Sequence, residues 1–101
     1  MSDHDHPGVP PPTFEFLTLS LKMQAEVCLG LIKIPGEEGA DLDRARHLID
    51  LLGMLGEKTK GNLSLQEQRL LENSLTELRF RFVQISQAPP KEQEAQPVEN
   101  E

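Results

Sequence analysis

The chain has 101 residues, room for one small domain, and its 17 acidic and 10 basic side chains leave a formal charge of −7. That sign is wrong for a nucleic-acid binder, which needs a basic excess to neutralise phosphates. A single cysteine, Cys28, excludes an internal disulfide framework and a Cys-paired zinc site, and there is no run of about 18 uncharged apolar residues to span a membrane.

The acidity sits in two tails. Residues 1–12 hold Pro7, Pro10, Pro11, Pro12 and Gly8, and residues 87–101 hold Pro89, Pro90 and Pro97 among Glu, Gln and Lys. Neither can bury enough apolar surface to offset its ordering entropy, so both are expected to be disordered. Asp3, Asp5, Glu92, Glu94, Glu99 and Glu101 against Lys91 place −5 of the −7 there, a charge suited to solubility. No Lys or Arg precedes Lys22, so the basic start of a secretory signal is missing and the cytoplasm is the expected compartment.

A first helix is predicted over 14–33, with Thr13 as N-cap, Glu15 near the positive dipole end, and a stop forced by Pro35. Phe14, Leu17, Leu21, Cys28 and Leu31 form one apolar seam, and Phe16, Leu19, Met23, Val27 and Ile34 form a second beside it. Only Glu15, Lys22, Glu26 and Lys33 make a polar stripe, so this helix is apolar around far more than the usual ~100° and needs cover on two sides.

The Pro-Gly-Glu-Glu-Gly-Ala run over 35–40 reads as a turn-rich connector. A second helix is predicted over 42–60 behind Asp41, on Leu42, Ala45, Leu48, Ile49, Leu52 and Leu55, closed by Gly61 as a left-handed C′ residue. Gly53 and Gly56 lie inside it, each costing roughly 1 kcal/mol against Ala, which suggests close helix approach or tolerated imperfection.

The third helix, predicted over 65–86, has the clearest start: Ser64-Leu65-Gln66-Glu67 is a capping box. Leu71, Leu75, Leu78, Phe82 and Ile85 follow at 4-3-4-3 spacing, a coiled-coil seam. Phe80 has Asn73, Thr76, Glu77 and Gln84 as helical neighbours and therefore projects from a polar flank. No strand-like alternation occurs, so the fold class is all-α: a three-helix unit over 13–86 between two tails.

A core of this size is marginal without disulfides or metals, and two sister helices with polar faces of their own cannot cover both seams of the first. Phe16, Met23 and Val27, with Phe80, are therefore expected to meet a second copy, making the chain a homo-oligomer, most simply a dimer, that can also dock a partner helix. The competing expectation is a monomeric bundle with the first helix at its centre.

The runs Phe14 to Gly30, Ala45 to Leu55, Glu57-Lys-Thr-Lys-Gly-Asn-Leu63 and Leu78-Arg-Phe-Arg-Phe82 together resemble the small bacterial family catalogued as domain of unknown function 1844. The Glu57 to Leu63 block is the most distinctive part, and the tails fall outside the pattern. The resemblance implies a small, soluble, helical bacterial protein and assigns no activity, cofactor or catalytic residue.

Candidate chemistry is sparse. Gly53-Met-Leu-Gly56-Glu-Lys58-Thr59 has two residues between its glycines where a P-loop has four, and Glu57 intrudes before the lysine. His47 has Asp43 and Asp50 on its helix face but no nucleophile or further ligand, and reads as a solvated side chain. Cys28 lies in an apolar seam as a small hydrophobe. Arg79 and Arg81 point about 200° apart on an ideal helix, so with Arg69 they make no nucleic-acid patch. With Met1 removed, Ser2-Asp3-His4 would offer an amine, two backbone nitrogens and an imidazole, a square-planar set suited to Cu(II) or Ni(II), with His6 nearby. A small metal-handling protein is thus the alternative to a non-catalytic interaction module, and neither an enzyme nor a bound cofactor is expected.

Overall fold

The structure, a computed structural model, describes residues 8–36 and 39–87. Three helices carry it in chain order: α1 Phe14–Cys28, α2 Leu42–Lys58 and α3 Leu65–Gln87, each packed against both others. The described residues contain no strand. Residues 8–13 are exposed and outside any helix, Gln87 of the predicted C-terminal tail is helical, and the rest of the two predicted tails lies outside the described residues.

The expected caps begin each helix. The Thr13 hydroxyl accepts from the Phe16 amide at 3.0 Å, and the Asp41 carboxylate accepts from the Arg44 amide at 3.1 Å. In the capping box, Glu67 N–H donates to Ser64 Oγ at 3.1 Å while Ser64 N–H donates to Glu67 Oε1 at 2.8 Å. Each contact satisfies an amide that the helix geometry leaves without a partner.

The ends differ from expectation in two places. α1 stops at Cys28, five residues short of Lys33, because Gly30 ends it and not Pro35. Gly30 has φ +84°, its N–H donates to the Val27 carbonyl at 3.0 Å, and Leu31 N–H donates to the Glu26 carbonyl at 2.9 Å. This is a Schellman motif with glycine at C′. α2 stops at Lys58 and not at 60: Thr59 is its cap, and its hydroxyl donates to the Leu55 carbonyl at 2.6 Å. Gly61 is left-handed as expected, φ +85°, but one residue later than C′: Asn62 N–H donates to the Thr59 carbonyl at 2.8 Å, which puts Gly61 third in a four-residue turn. A type II turn needs positive φ at that position. α3 runs one residue beyond the predicted end, to Gln87.

The core is Ala25, Cys28 and Leu29 from the α1 segment, Ala45, Leu48, Ile49 and Leu52 from α2, and Leu71, Leu75 and Leu78 from α3. Phe82 and Ile85 complete the α3 seam half-buried, as its spacing predicts. Asp41 N–H donates to the Cys28 carbonyl at 2.8 Å, which ties the start of α2 to the end of α1. α2 and α3 run antiparallel: Gly56 faces Leu71, and Gly53, earlier on α2, faces Arg79, later on α3. An added Cβ would stand 3.3 Å from Leu71 Cδ2 at Gly56 and 3.2 Å from Arg79 Nη2 at Gly53, so Gly56 abuts a core side chain of α3 and Gly53 only the end of a long flexible one.

Candidate interaction surface

The inner face of α1 is not the one its large side chains suggest. Leu17 and Leu31, placed in the inner seam by spacing, are exposed, while Thr18 and Ala25 have no exposure at all. Phe14, Thr18, Leu21, Ala25 and Cys28 recur at 4-3-4-3, and this seam meets the other helices. Small residues at the closest approach let backbones come near, which turns Leu17 about 60° off the contact line on an ideal wheel. The Thr18 hydroxyl has no hydrogen-bond partner inside this core.

The outer face is the apolar one. Phe16 is 45% exposed, Leu19 47% and Met23 57%, with Val27 half-buried beside them. On an ideal helix these four fall within an arc of about 80° centred about 180° from Phe14. Leu31, Ile32 and Ile34 extend exposed apolar surface past the helix end. Of the twelve large hydrophobics left exposed among the described residues, seven lie between Phe16 and Ile34, whereas α2 contributes only Met54.

Phe80 is 60% exposed on α3. Lys22 Nζ of α1 lies 3.0 Å from Glu26 Oε2 and 3.5 Å from Glu77 Oε1 of α3, so the Glu77 flank of α3 is turned toward α1. Phe80 follows Glu77 by three residues and shares that flank. The Glu26 hydrogen bond, joined by the charges of Glu26 and Glu77, holds the Lys22 ammonium above the ordinary lysine range despite some desolvation.

The remaining candidates have structural explanations. The P-loop-like run lies within α2 up to Lys58, where helical hydrogen bonding occupies the amides that would cradle phosphate, and the Thr59 hydroxyl is engaged by Leu55. A cavity of about 310 Å³ lies between α2 and α3 beside Gly53, Gly56 and Leu71; its charges, Glu57 and Glu72 against Lys60 and Arg79, cancel. His47, Asp43 and Asp50 are all exposed, and Cys28 is buried in the core. Arg79 lines the α2–α3 cavity, while Arg81 lies elsewhere on the exposed surface. Among the described residues no group of three or more His, Cys, Asp or Glu could hold a metal ion, and no helix is long and apolar enough to cross a membrane. The Ser2-Asp3-His4 set and His6 lie outside the described residues.

An all-α unit of three helices, with its apolar excess gathered on the first, is the class of protein this structure defines. Residues 11–84 match the family described as Domain of unknown function (DUF1844), and the chain belongs to it. No curated protein and no solved structure matches the chain.

Proposed function

We propose that this chain is a non-catalytic interaction module of the cytoplasm that associates with itself through the outer face of α1. The observation carrying this reading is the inversion of α1: small Thr18, Ala25 and Cys28 are buried while Phe16, Leu19 and Met23 face out. A solvated helix face has no physical use for such residues, whereas a contiguous exposed apolar patch is the mark of a protein interface.

A second copy suits the patch by size. Seven side chains from Phe16 to Ile34, between 37% and 57% exposed, leave on the order of 500 Å² of apolar surface per chain. Used twice across a two-fold axis, that is about 1,000 Å² in total, the threshold for a specific interface. Phe80, on the α3 flank turned toward α1, adds an aromatic anchor at the rim. A lone thiol buried in the core, with no disulfide framework, suits a reducing compartment.

Sedimentation equilibrium at micromolar concentration tests the reading. The expected species has twice the 11.3 kDa chain mass. Met23→Glu, at a site already more than half exposed, is expected to return the monomer with its helix content intact. A wild-type chain that stays monomeric to 100-fold higher concentration would end the self-association reading.

A further inference from the structure

We infer that two copies pair α1 against α1 in antiparallel fashion, across a two-fold axis between residues 21 and 22. This rests on the self-association reading above and adds its orientation and register. The stripe is graded in size: Phe16 at one end, Val27 at the other, Leu19 and Met23 between, with Ser20 beside them. Antiparallel pairing about that axis sets Phe16 against the partner's Val27 and Ser20 against the partner's Met23, large against small at both levels, with Leu19 against the stem of the partner's Gln24. Parallel pairing would stack Phe16 on Phe16 and Met23 on Met23 and leave the Ser20 and Val27 levels thin, a poorer fit for side chains that pack at interior density.

The flanks of the stripe agree. One carries Glu15, Lys22 and Glu26; the other carries Leu17, Ser20 and Gln24, without charge. In an antiparallel pair each flank meets its own kind, so the exposed Leu17 faces an uncharged surface and the charges remain together at the opposite rim. Parallel pairing would set Leu17 against the partner's Glu15, and Gln24 against the partner's Lys22 and the partner's Glu26, burying a charge beside an apolar side chain. Lys22 lies nearest the axis, and it arrives already bonded to Glu26 and within reach of Glu77, so the two lysines approach as parts of acidic clusters.

The ends also match. Exposed Phe16 and Leu17 stand at the start of α1, and exposed Leu31, Ile32 and Ile34 just beyond its end. Antiparallel pairing lays the second group over the partner's first, twice per dimer.

Disulfide trapping tests the orientation, in a Cys28→Ala background that removes the native thiol. Phe16→Cys and Val27→Cys chains, mixed and oxidised, are expected to give the mixed-chain disulfide and little from either chain alone. Because Phe16→Cys weakens the surface, spin labels at exposed Glu15 give a second reading: about 13 residues of offset separate the two labels by roughly 20 Å along the helix axis, against almost none in a parallel pair. A sedimenting dimer in which position 16 links to position 16, or in which Glu15 labels lie side by side, overturns the orientation and leaves self-association standing. A dimer that gives no disulfide at either position and widely separated labels at every α1 site removes α1 from the contact, and a monomer removes both readings.

Discussion

α1 and α2 have similar lengths and both contact the other two helices, yet they distribute their side chains in opposite ways. α2 turns Ala45, Leu48, Ile49 and Leu52 inward and presents Asp43, Arg44, Arg46, His47, Asp50 and Glu57 to solvent. α1 turns Thr18, Ala25 and Cys28 inward and presents Phe16, Leu19 and Met23. A helix that faces only water gains nothing from an apolar outer surface, so α2 follows the rule for a helix with one buried side. α1 follows the rule for a helix with two, of which the described chain covers one.

Two substitutions separate these behaviours, and the first has the largest expected effect. Leu52 of α2 is wholly buried, so Leu52→Ala removes packed methyl groups and leaves a cavity, costing about 2–5 kcal/mol. For a domain of this size that lowers Tm by about 10 °C or more. Met23→Glu on α1 is expected to leave dilute-solution unfolding within about 0.5 kcal/mol of wild type. It is expected instead to abolish the rise of Tm with protein concentration that links folding to association. Chemical and thermal denaturation over a range of concentrations reads both; equal losses of stability for the two variants would show that the helices do not differ as described.

Thr18 sharpens the contrast from inside α1. Its hydroxyl is buried without a hydrogen-bond partner, a state that costs roughly 1–3 kcal/mol of desolvation. Thr18→Val keeps the branched shape and removes the unsatisfied group, so it is expected to stabilise the fold by about 1 kcal/mol. Urea unfolding that shows Val less stable would mean that the hydroxyl has found a partner in solution.

The glycines of α2 give a smaller, two-signed test of how closely α2 and α3 approach. Alanine gains roughly 0.5–1 kcal/mol over glycine in a helix interior. At Gly53 the obstacle is the end of the flexible Arg79 side chain, 3.2 Å from the new Cβ, so Gly53→Ala is expected to realise that gain. At Gly56 it is the buried Leu71, 3.3 Å away and fixed by core packing, so Gly56→Ala is expected to realise none of it. Equal gains at both sites would show that the core at Leu71 yields freely.

Much of this was legible from residue order. Thr13, Asp41 and the Ser64–Glu67 box mark helix starts through local hydrogen bonding, which depends on few neighbours and so is readable without a fold. The α3 seam was readable because its leucines are both large and regularly spaced. The inner face of α1 was misread because apolar periodicity weights size, whereas closest approach between helices selects smallness. The 4-3-4-3 spacing of Phe14, Thr18, Leu21, Ala25 and Cys28 was present and would have revealed it. Gly30 likewise carries a stop signal nearer than Pro35: a glycine at C′ ends a helix before a distant proline can. The surplus of α1 was legible as a quantity, since only Glu15, Lys22, Glu26 and Lys33 interrupt its apolar circumference. Which residues composed it required the packing.

The smallest expected effect concerns Lys22, which ties α1 to α3 beside the exposed stripe. Its hydrogen bond to Glu26, with the charges of Glu26 and Glu77, raises the folded-state pKa above that of the unfolded chain. A raised lysine pKa means the folded protein holds the proton more tightly, so the contribution is fully present below the unfolded value of about 10.4 and is lost as pH rises through the folded value. The side chain is about one-fifth exposed, and a pair of this kind contributes well under about 1 kcal/mol. Wild type is therefore expected to lose slightly more stability between pH 9 and pH 11 than Lys22→Met, with the two curves parallel near pH 7. Because Lys22 lies nearest the proposed two-fold axis, the same loss of charge leaves the acidic groups around it uncompensated, so the dimer is expected to weaken over the same alkaline window. Sedimentation across that window, with Lys22→Met lacking the alkaline step, separates a lysine that only joins two helices from one that also neutralises the centre of the contact.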